Sequence, residues 1–416
     1  MAQKSYQLAF GGTAAPDSFY GDVVSLSIQE DINMATSMTL QLVTTLQNDG
    51  TWSHLDDDQF SLFTHVTAKV GFSGGEGLAG ALGAAASAIS GALGGSSSSD
   101  DGLIPLFDGY ITSVKVKLSN DPQGSIVEVT ALDTCVLMSL EEKVASWTNM
   151  TDSDIVQQIV SGYGVTVQAD TTSTLHQDNV TTLIQRGSDI QFVRELAARN
   201  GKEFYFETDT SSGEVTAYFQ SPQLTGTPQP DLAIQFASQS NLKSFDAWLD
   251  GQRPLSVKAQ QVDISSGNAN STQVSDTLYT ELGATDSNTL IGAQLNGLVT
   301  PLDAQAQMLL LATSTSDSTE LQTIAQSVRD EAAWVITANG EINSDAYQNV
   351  LRAHRLVLVK GAGKPYSGKY YVSKVTHELK ADGTYTQNFE ARRNARDIDG
   401  SENFGGSGLG IAIPGV

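Results

Sequence analysis

The chain has a single cysteine in 416 residues, Cys135, so no disulfide can form within it. Cys135 lies in the apolar run ALDTCVLMSL, where a thiol is expected to pack as a small hydrophobe rather than to act as a nucleophile. Basic residues are also scarce: 23 Lys and Arg stand against 47 Asp and Glu, for a net charge of −24. Nucleic-acid backbones and anionic membranes both select basic patches, so neither is expected as a partner. A soluble acidic surface is the plain reading. No run reaches the roughly 18 to 20 apolar residues that a membrane-spanning helix needs. The opening MAQKSYQLAF lacks the apolar core of a signal peptide. Synthesis and folding in the cytoplasm are expected, which leaves later export as part of a particle open.

Chemistry-bearing residues are few and scattered. The five histidines are His54, His65, His176, His354 and His377, and no two stand at metal-ligand spacing. His377-Glu378 begins like H-E-x-x-H but meets Ala381, and its segment reads as a strand, so it predicts a wall histidine rather than a zinc ligand. Asp56-Asp57-Asp58 and Asp100-Asp101 lack the spacing of a calcium loop and read as solvated loops. Glu141-Glu142 beside Lys143 are a carboxylate pair that nothing in the sequence fixes in a cleft. Gly71-Phe72-Ser73-Gly74-Gly75 fits the hydrolase elbow pattern and Gly75–Gly80 fits G-x-G-x-x-G, but both fall in Gly-rich sequence without a βαβ context. No catalytic residue, metal ligand or cofactor is predicted.

What the chain does have is β pattern. A hydrophobic content of 40% with 17% charge describes a folded protein, and the length implies two to four domains. Pro365–Arg393 reads as two long strands around Asp382-Gly383, a strong hairpin signal. Tyr370, Tyr371, Val372 and Val375 suit a half-buried pleated surface, and Tyr385, Gln387, Phe389 and Ala391 line one face of the return strand. The same design stands at Leu106–Asp133, where Phe107-Asp108-Gly109 matches Tyr366-Ser367-Gly368. The pair suggests two related β-domains, one near each end.

In chain order, Ser5–Phe10, Val23–Glu30, Ser37–Thr45 and Phe60–Val70 read as strands. With the Leu106–Asp133 hairpin they are enough for a small antiparallel barrel. The Gly/Ala/Ser-rich stretch Gly71–Leu103 interrupts that unit as a mobile loop. Thr151-Asp152-Ser153-Asp154 caps a helix whose stripe is Ile155, Val156, Ile159 and Val160, ended by Gly162. Ser188-Asp189-Ile190-Gln191 opens a second helix that buries Phe192, Val193, Leu196 and Ala197 and stops at Gly201. The strand Glu203–Glu207 follows, with Glu214–Phe219 as its partner. Leu242–Ser265 and Gln273–Leu282 read as strands, Ser318–Ala338 as a helix, and His354–Lys360 as the strand before the closing hairpin.

The segment Ser188–Glu207, SDIQFVRELAARNGKEFYFE, resembles the signature of the phage late control gene D protein family, which includes the hub part of type VI secretion VgrG proteins. Asp189, Phe192, Leu196, Gly201 and Tyr205 carry that part of the resemblance. Phe107 and Gly109 upstream, and Gly368, Tyr371, Val375 and Phe389 downstream, complete an ordered set from about residue 5 to residue 393. The resemblance implies an α+β, mainly β fold, with two antiparallel β-barrels and an α/β insert between them. The boundaries expected are 1–137 for the first barrel, 138–235 for the insert, 236–398 for the second barrel and 399–416 for a Gly-rich tail.

It also implies a role: the central baseplate hub of a contractile tail or injection system, not an enzyme. Two similar domains in each of three chains present six units, so a homotrimer can adapt a six-fold inner tube to a three-fold spike. VgrG proteins continue into a spike, whereas this chain stops soon after its second hub unit. A separate spike protein is therefore an expected partner, with Leu409, Ile411 and Ile413 as docking residues. Two other classes compete. A cell-wall hydrolase needs a catalytic module that no region supplies. A carbohydrate-binding module on Thr151–Phe219 would expose aromatics such as Phe204, Tyr205 or Phe206.

Overall fold

The computed structural model describes residues 3–56, 58–73, 103–121, 124–178, 182–209, 213–262, 267–295, 307–311, 318–400 and 402. Most of the Gly71–Leu103 stretch, with its two glycine motifs and Asp100-Asp101, lies outside these residues, as do Asp57 and the proposed docking residues Leu409, Ile411 and Ile413.

The first part of the chain is β1 (Gln3–Phe10), β2 (Val23–Asp31), β3 (Ser37–Val43), β4 (His65–Ser73), β5 (Ile104–Lys117) and β6 (Ile126–Leu132). The insert follows as β7 (Glu142–Trp147), α1 (Asp152–Ser161), β8 (Thr166–Ala169), β9 (Leu183–Ser188), α2 (Asp189–Arg199), β10 (Glu203–Thr208) and β11 (Val215–Gln220). The last part holds β12 (Gln229–Ala233), β13 (Leu242–Leu249), β14 (Ser256–Val262), β15 (Ala269–Val274), β16 (Gln307–Leu311), α3 (Ser318–Ala332), β17 (Ile336–Asn343), β18 (Leu356–Lys360), β19 (Gly368–Lys380) and β20 (Tyr385–Arg393).

The fold is mainly β, built on one large, nearly all antiparallel sheet of 13 strands. Its order is β13-β17-β20-β19-β2-β3-β6-β5-β4-β1 and then the short Thr13–Ala14 strand, with β18 and β12 attached beside β19. The first and last parts therefore join into one sheet through β19 and β2, which pair from Lys374↔Asp31 to Lys380↔Ser25. Among the described residues no strand pairing closes either half into a barrel. Two cores nevertheless lie along the sheet. One gathers Leu8, Leu26, Ile28, Leu40, Phe107 and Val129; the other gathers Val335, Val357, Tyr370, Val372, Val375 and Phe389.

The two halves repeat the same topology. In the first, β2-β3-β6-β5-β4 are antiparallel neighbours; in the second, β13-β17-β20-β19-β18 are. The irregularities repeat as well. β5 bulges between Ile111 and Ser113, and β19 bulges between Val372 and Lys374. The bulged residue donates its hydroxyl across the ladder in both: Thr112 to the Thr130 carbonyl at 3.2 Å, Ser373 to the Glu390 carbonyl at 3.1 Å. β2 slips against β3 between Val23 and Ser25, and β13 slips against β17 between Leu242 and Ser244. The turns before β4 and β18 carry left-handed residues at matching places, Phe63 (φ 62°) and His354 (φ 60°). Each bonds its backbone to the residue before the bulge, Ile111 and Val372 respectively. A bulge is a designed feature of a sheet rather than noise, so its recurrence marks a true structural repeat. The bulges also correct the sequence alignment. They make Tyr110 the counterpart of Tyr371, which shifts the Phe107-Asp108-Gly109 match to Tyr366-Ser367-Gly368 by two residues.

The helices form largely where their caps predict. Thr151 and Asp154 make a reciprocal capping box for α1, and Gly162 follows its last turn. α1 and α2 bury Ile155, Val156, Val160, Phe192, Val193 and Leu196 in a third core, shared with Phe204, Phe206 and Phe219 of the β8-β11-β10 sheet. The expected helix to Ala338 instead ends at Ala332. Ile336 and Ala338 are buried strand residues, held between β13 and β20, so ladder pairing overrides the helical period there.

Candidate assembly site

Each residue of the predicted signature has a structural post. Phe107 is buried in the first core. Gly109 lies so close to β6 that a Cβ would stand 2.2 Å from the Leu132 carbonyl oxygen, which only glycine avoids. Asp189 begins α2 and is nearly buried. Its carboxylate accepts bonds from Lys143 Nζ (2.7 Å), Tyr163 Oη (2.6 Å) and Gln185 Nε2 (2.7 Å). Burial pushes its pKa up, but the bonds from Lys143, Tyr163 and Gln185 bring it below the usual carboxylate value. Phe192 and Leu196 face the insert core, and Gly201 follows α2. Gly368 sits at φ 132°, and a Cβ there would stand 2.6 Å from the Arg393 guanidinium. Arg393 is buried, donating to the carbonyls of Leu282, Ser367 and Asp397. Val375 and Phe389 are directly paired and buried in the second core.

Tyr205 and Tyr371 come together at a junction that the sequence did not reveal. β10 turns Glu203, Tyr205 and Glu207 toward the loop that enters β18. Glu203 Oε2 accepts from Tyr371 Oη at 2.6 Å and lies 2.8 Å from His354 Nδ1. Tyr205 stacks on the His354 ring at 3.6 Å between centroids. Glu207 pairs with Arg355 and stands 3.8 Å from Arg352. Arg352, itself buried, donates to Glu30 Oε1 at 2.6 Å and to the Pro105 carbonyl at 3.0 Å, while Glu30 Oε2 accepts the Ala353 N–H at 2.9 Å. One cluster thus ties β2, β5, the insert and the second half together. The Glu-x-Tyr-x-Glu alternation of β10 was visible in the sequence, but its partners lie about 150 residues away. Phe204, Tyr205 and Phe206 are all buried, so the aromatic surface that a carbohydrate-binding insert would need is absent from this strand.

The other histidines also have polar partners. His54 pairs with Asp22, His65 with Asp108, His176 with Asp152, and His377 with the Tyr385 hydroxyl. Among the described residues no group of three or more His, Cys, Asp or Glu side chains could hold a metal ion. Burial pushes the Cys135 thiol well up, which disfavours the thiolate. The acidic pair Glu141-Glu142 lies exposed at the start of β7.

Among the described residues β13 pairs only with β17, and β5 beyond Tyr110 pairs only with β6, so each presents an open edge. Both carry apolar side chains in partial view of solvent: Val116 at 37%, Leu118 at 53% and Trp248 at 49% exposure. Open apolar edges invite pairing with another chain.

Residues 98–381, more than half of the chain, match the family profile described as the Alg8 N-terminal domain. The chain belongs to the Alg8 N-terminal domain family. No curated protein matches this Alg8 N-terminal domain chain by sequence. Solved structures share its fold. The 43 kDa tail protein of prophage MuSo2 from Shewanella oneidensis aligns at 12% identity with a TM-score of 0.59, over 95% of this chain and all of that one. A tail protein from Neisseria meningitidis MC58 aligns at 11% identity with a TM-score of 0.60, over 94% of this chain and 97% of that one. An Escherichia coli component of the type VI secretion system, itself structurally similar to T4 phage tail proteins, aligns at 14% identity with a TM-score of 0.52, over 93% and 76%. At these identities the likeness is one of fold. The fold of this family member is that of phage tail proteins and of a type VI secretion component.

Proposed function

We propose that the chain is a structural baseplate hub of a contractile tail or contractile injection system. In this reading it forms a homotrimer that adapts a six-fold inner tube to a three-fold spike. Its units are 1–137 and 236–398, with 138–235 as the insert and 399–416 as the tail. The observation that supports it best is the internal repeat: two five-stranded units with bulges at matching positions. Three such chains offer six near-equivalent units to a hexameric ring while keeping true three-fold symmetry for the spike. The shared fold of two tail proteins and a type VI secretion component supports the same role. The work done is binding and transmission of movement, so inner tube, spike and neighbouring baseplate proteins are the partners.

The test is the absolute mass of the purified protein by light scattering across a concentration series, alone and with tube and spike proteins added. Three chains per particle are expected. A monomer under every one of these conditions would overturn the trimer.

A further inference from the structure

We propose that neighbouring copies of this chain join edge to edge, with β5 of one copy against β13 of the next in a defined antiparallel register. The proposal rests on the trimer reading and adds the joint itself. Its basis is the internal repeat. The first unit meets the second within the chain through β19 and β2, and the counterpart of β19 is β5 while the counterpart of β2 is β13. These open edges of β5 and β13 are therefore the counterparts of the two edges that are already joined once inside the chain.

The bulges and slips carry the register across. Lys374 corresponds to Ser113 through the β5 and β19 bulges, and Ser25 corresponds to Ser244 through the β2 and β13 slips. The internal pairs Val375↔Glu30, His377↔Ile28 and Leu379↔Leu26 then become Val114↔Leu249, Val116↔Ala247 and Leu118↔Phe245 between copies. Inside the chain all six core-facing residues of the joint are buried. Their six counterparts on the open edges are all apolar, yet none is buried: Leu118 is 53% exposed and Val116 37%. The joint would cover this apolar row. On the opposite face Thr376↔Gln29 and Glu378↔Ser27 become Lys115↔Trp248 and Lys117↔Asp246. The second pair is one of opposite charge. The first lays a lysine stem along an exposed indole, a favourable contact for both. The contact is head-to-tail, so a ring closes when the last copy returns its β13 to the first copy's β5.

Disulfide trapping in the full chain tests it. Paired Cα atoms in an antiparallel ladder stand about 4.5 to 5.5 Å apart, within disulfide range, whereas a register error of two residues exceeds it. The double variant Val116→Cys with Ala247→Cys is expected to give covalent dimers and trimers on oxidation. The shifted pair Val116→Cys with Leu249→Cys, and either single variant, should give several-fold less. Melting of the reduced variants confirms that they fold. As a second readout, Trp248→Lys, which sets a like charge against Lys115, should lower the particle mass to that of a monomer without changing the chain's own far-ultraviolet dichroism. A three-chain mass with equal or stronger cross-linking of the shifted pair, or with Trp248→Lys still trimeric, would overturn the joint and leave the hub reading standing. A monomer in all conditions would remove both.

Discussion

Arg352 is the residue whose loss the structure predicts most sharply. It is buried against Glu30, with Nε to Oε1 at 2.6 Å and Nη1 on the Pro105 carbonyl at 3.0 Å. Arg352→Met keeps much of the volume and removes the charge. Glu30, 5% exposed, then keeps the Ala353 N–H as a donor, and the Pro105 carbonyl loses the bond from Arg352. Removing one member of a buried ion pair costs about 3 to 5 kcal/mol, because the other charge stays desolvated and uncompensated. Of a total stability of about 5 to 15 kcal/mol, that is a large share. Glu30→Gln with Arg352→Met removes both charges, while the new amide oxygen can still accept from the Ala353 N–H. The double variant should therefore lose about 2 kcal/mol less than the sum of the two single losses. Urea titration followed by tryptophan fluorescence measures this, with mass checked at each end so that oligomer loss is not read as unfolding. A cost under about 1 kcal/mol for Arg352→Met, or strict additivity of the two changes, would refute the view that this pair fastens the two halves.

Other expectations follow the same logic. His377 is fully buried, and burial first, then the nearby Arg352 charge, lowers its pKa to about 3. Between about 3 and 6.5 the unfolded chain binds a proton that the folded chain refuses, so its stabilising share is whole above 6.5 and is lost as pH falls, at up to about 1.4 kcal/mol per pH unit; His377→Gln should flatten the acid side of a stability–pH curve by about one proton. Gly109→Ala places a methyl 2.2 Å from the Leu132 oxygen and should cost about 1 to 3 kcal/mol in urea titration, where a neutral result would contradict the close strand approach. Thr151→Ala removes the α1 cap and should cost about 1 kcal/mol, with Thr151→Ser restoring it. A charge at Val375 or Phe389, paired and buried in the second core, should abolish folding, and an unchanged melting curve for either would be incompatible with this sheet.

Much of the fold was legible because its signals are local. Asp382-Gly383 makes its turn, Thr151 and Ser188 open their helices, and the alternation Tyr385, Gln387, Phe389, Ala391 faces inward. Strands that depend on distant partners were less legible. Val335 to Ala338 carry a helical period, yet Ile336 to Ala338 pair on both sides as strand, because two neighbouring strands supply the hydrogen bonds. The joining of both halves into one sheet also turns on pairing between residues 25–31 and 374–380, which no local pattern encodes. The Glu203–His354–Tyr371 and Glu30–Arg352 contacts were missed for the same reason. The repeat itself was visible only as a loose likeness, misplaced by two residues, since it survives in bulges and hydroxyl bonds rather than in residue identity.

The two kinds of joint differ in chemistry, and the difference argues for what each edge meets. Where β19 meets β2 inside the chain, the core-facing row holds Glu30 and His377, both buried. At the matching places the open edges hold Leu249 and Val116. A buried carboxylate is tolerable when its cation is always at hand, and Arg352 is covalently part of the same molecule. An edge that must meet a separate molecule spends time in water and gains from association mainly by covering apolar area, so a charge in its centre would weaken the contact more than it would specify it. Specificity moves instead to the other face, where Lys117 and Asp246 fall opposite one another. Charge reversal tests this step: Lys117→Asp should weaken assembly, and Asp246→Lys added to it should restore the mass of the parent. Failure of the second change to rescue the first would mean that the two side chains do not meet across copies, and that the repeat's register does not extend beyond the single chain.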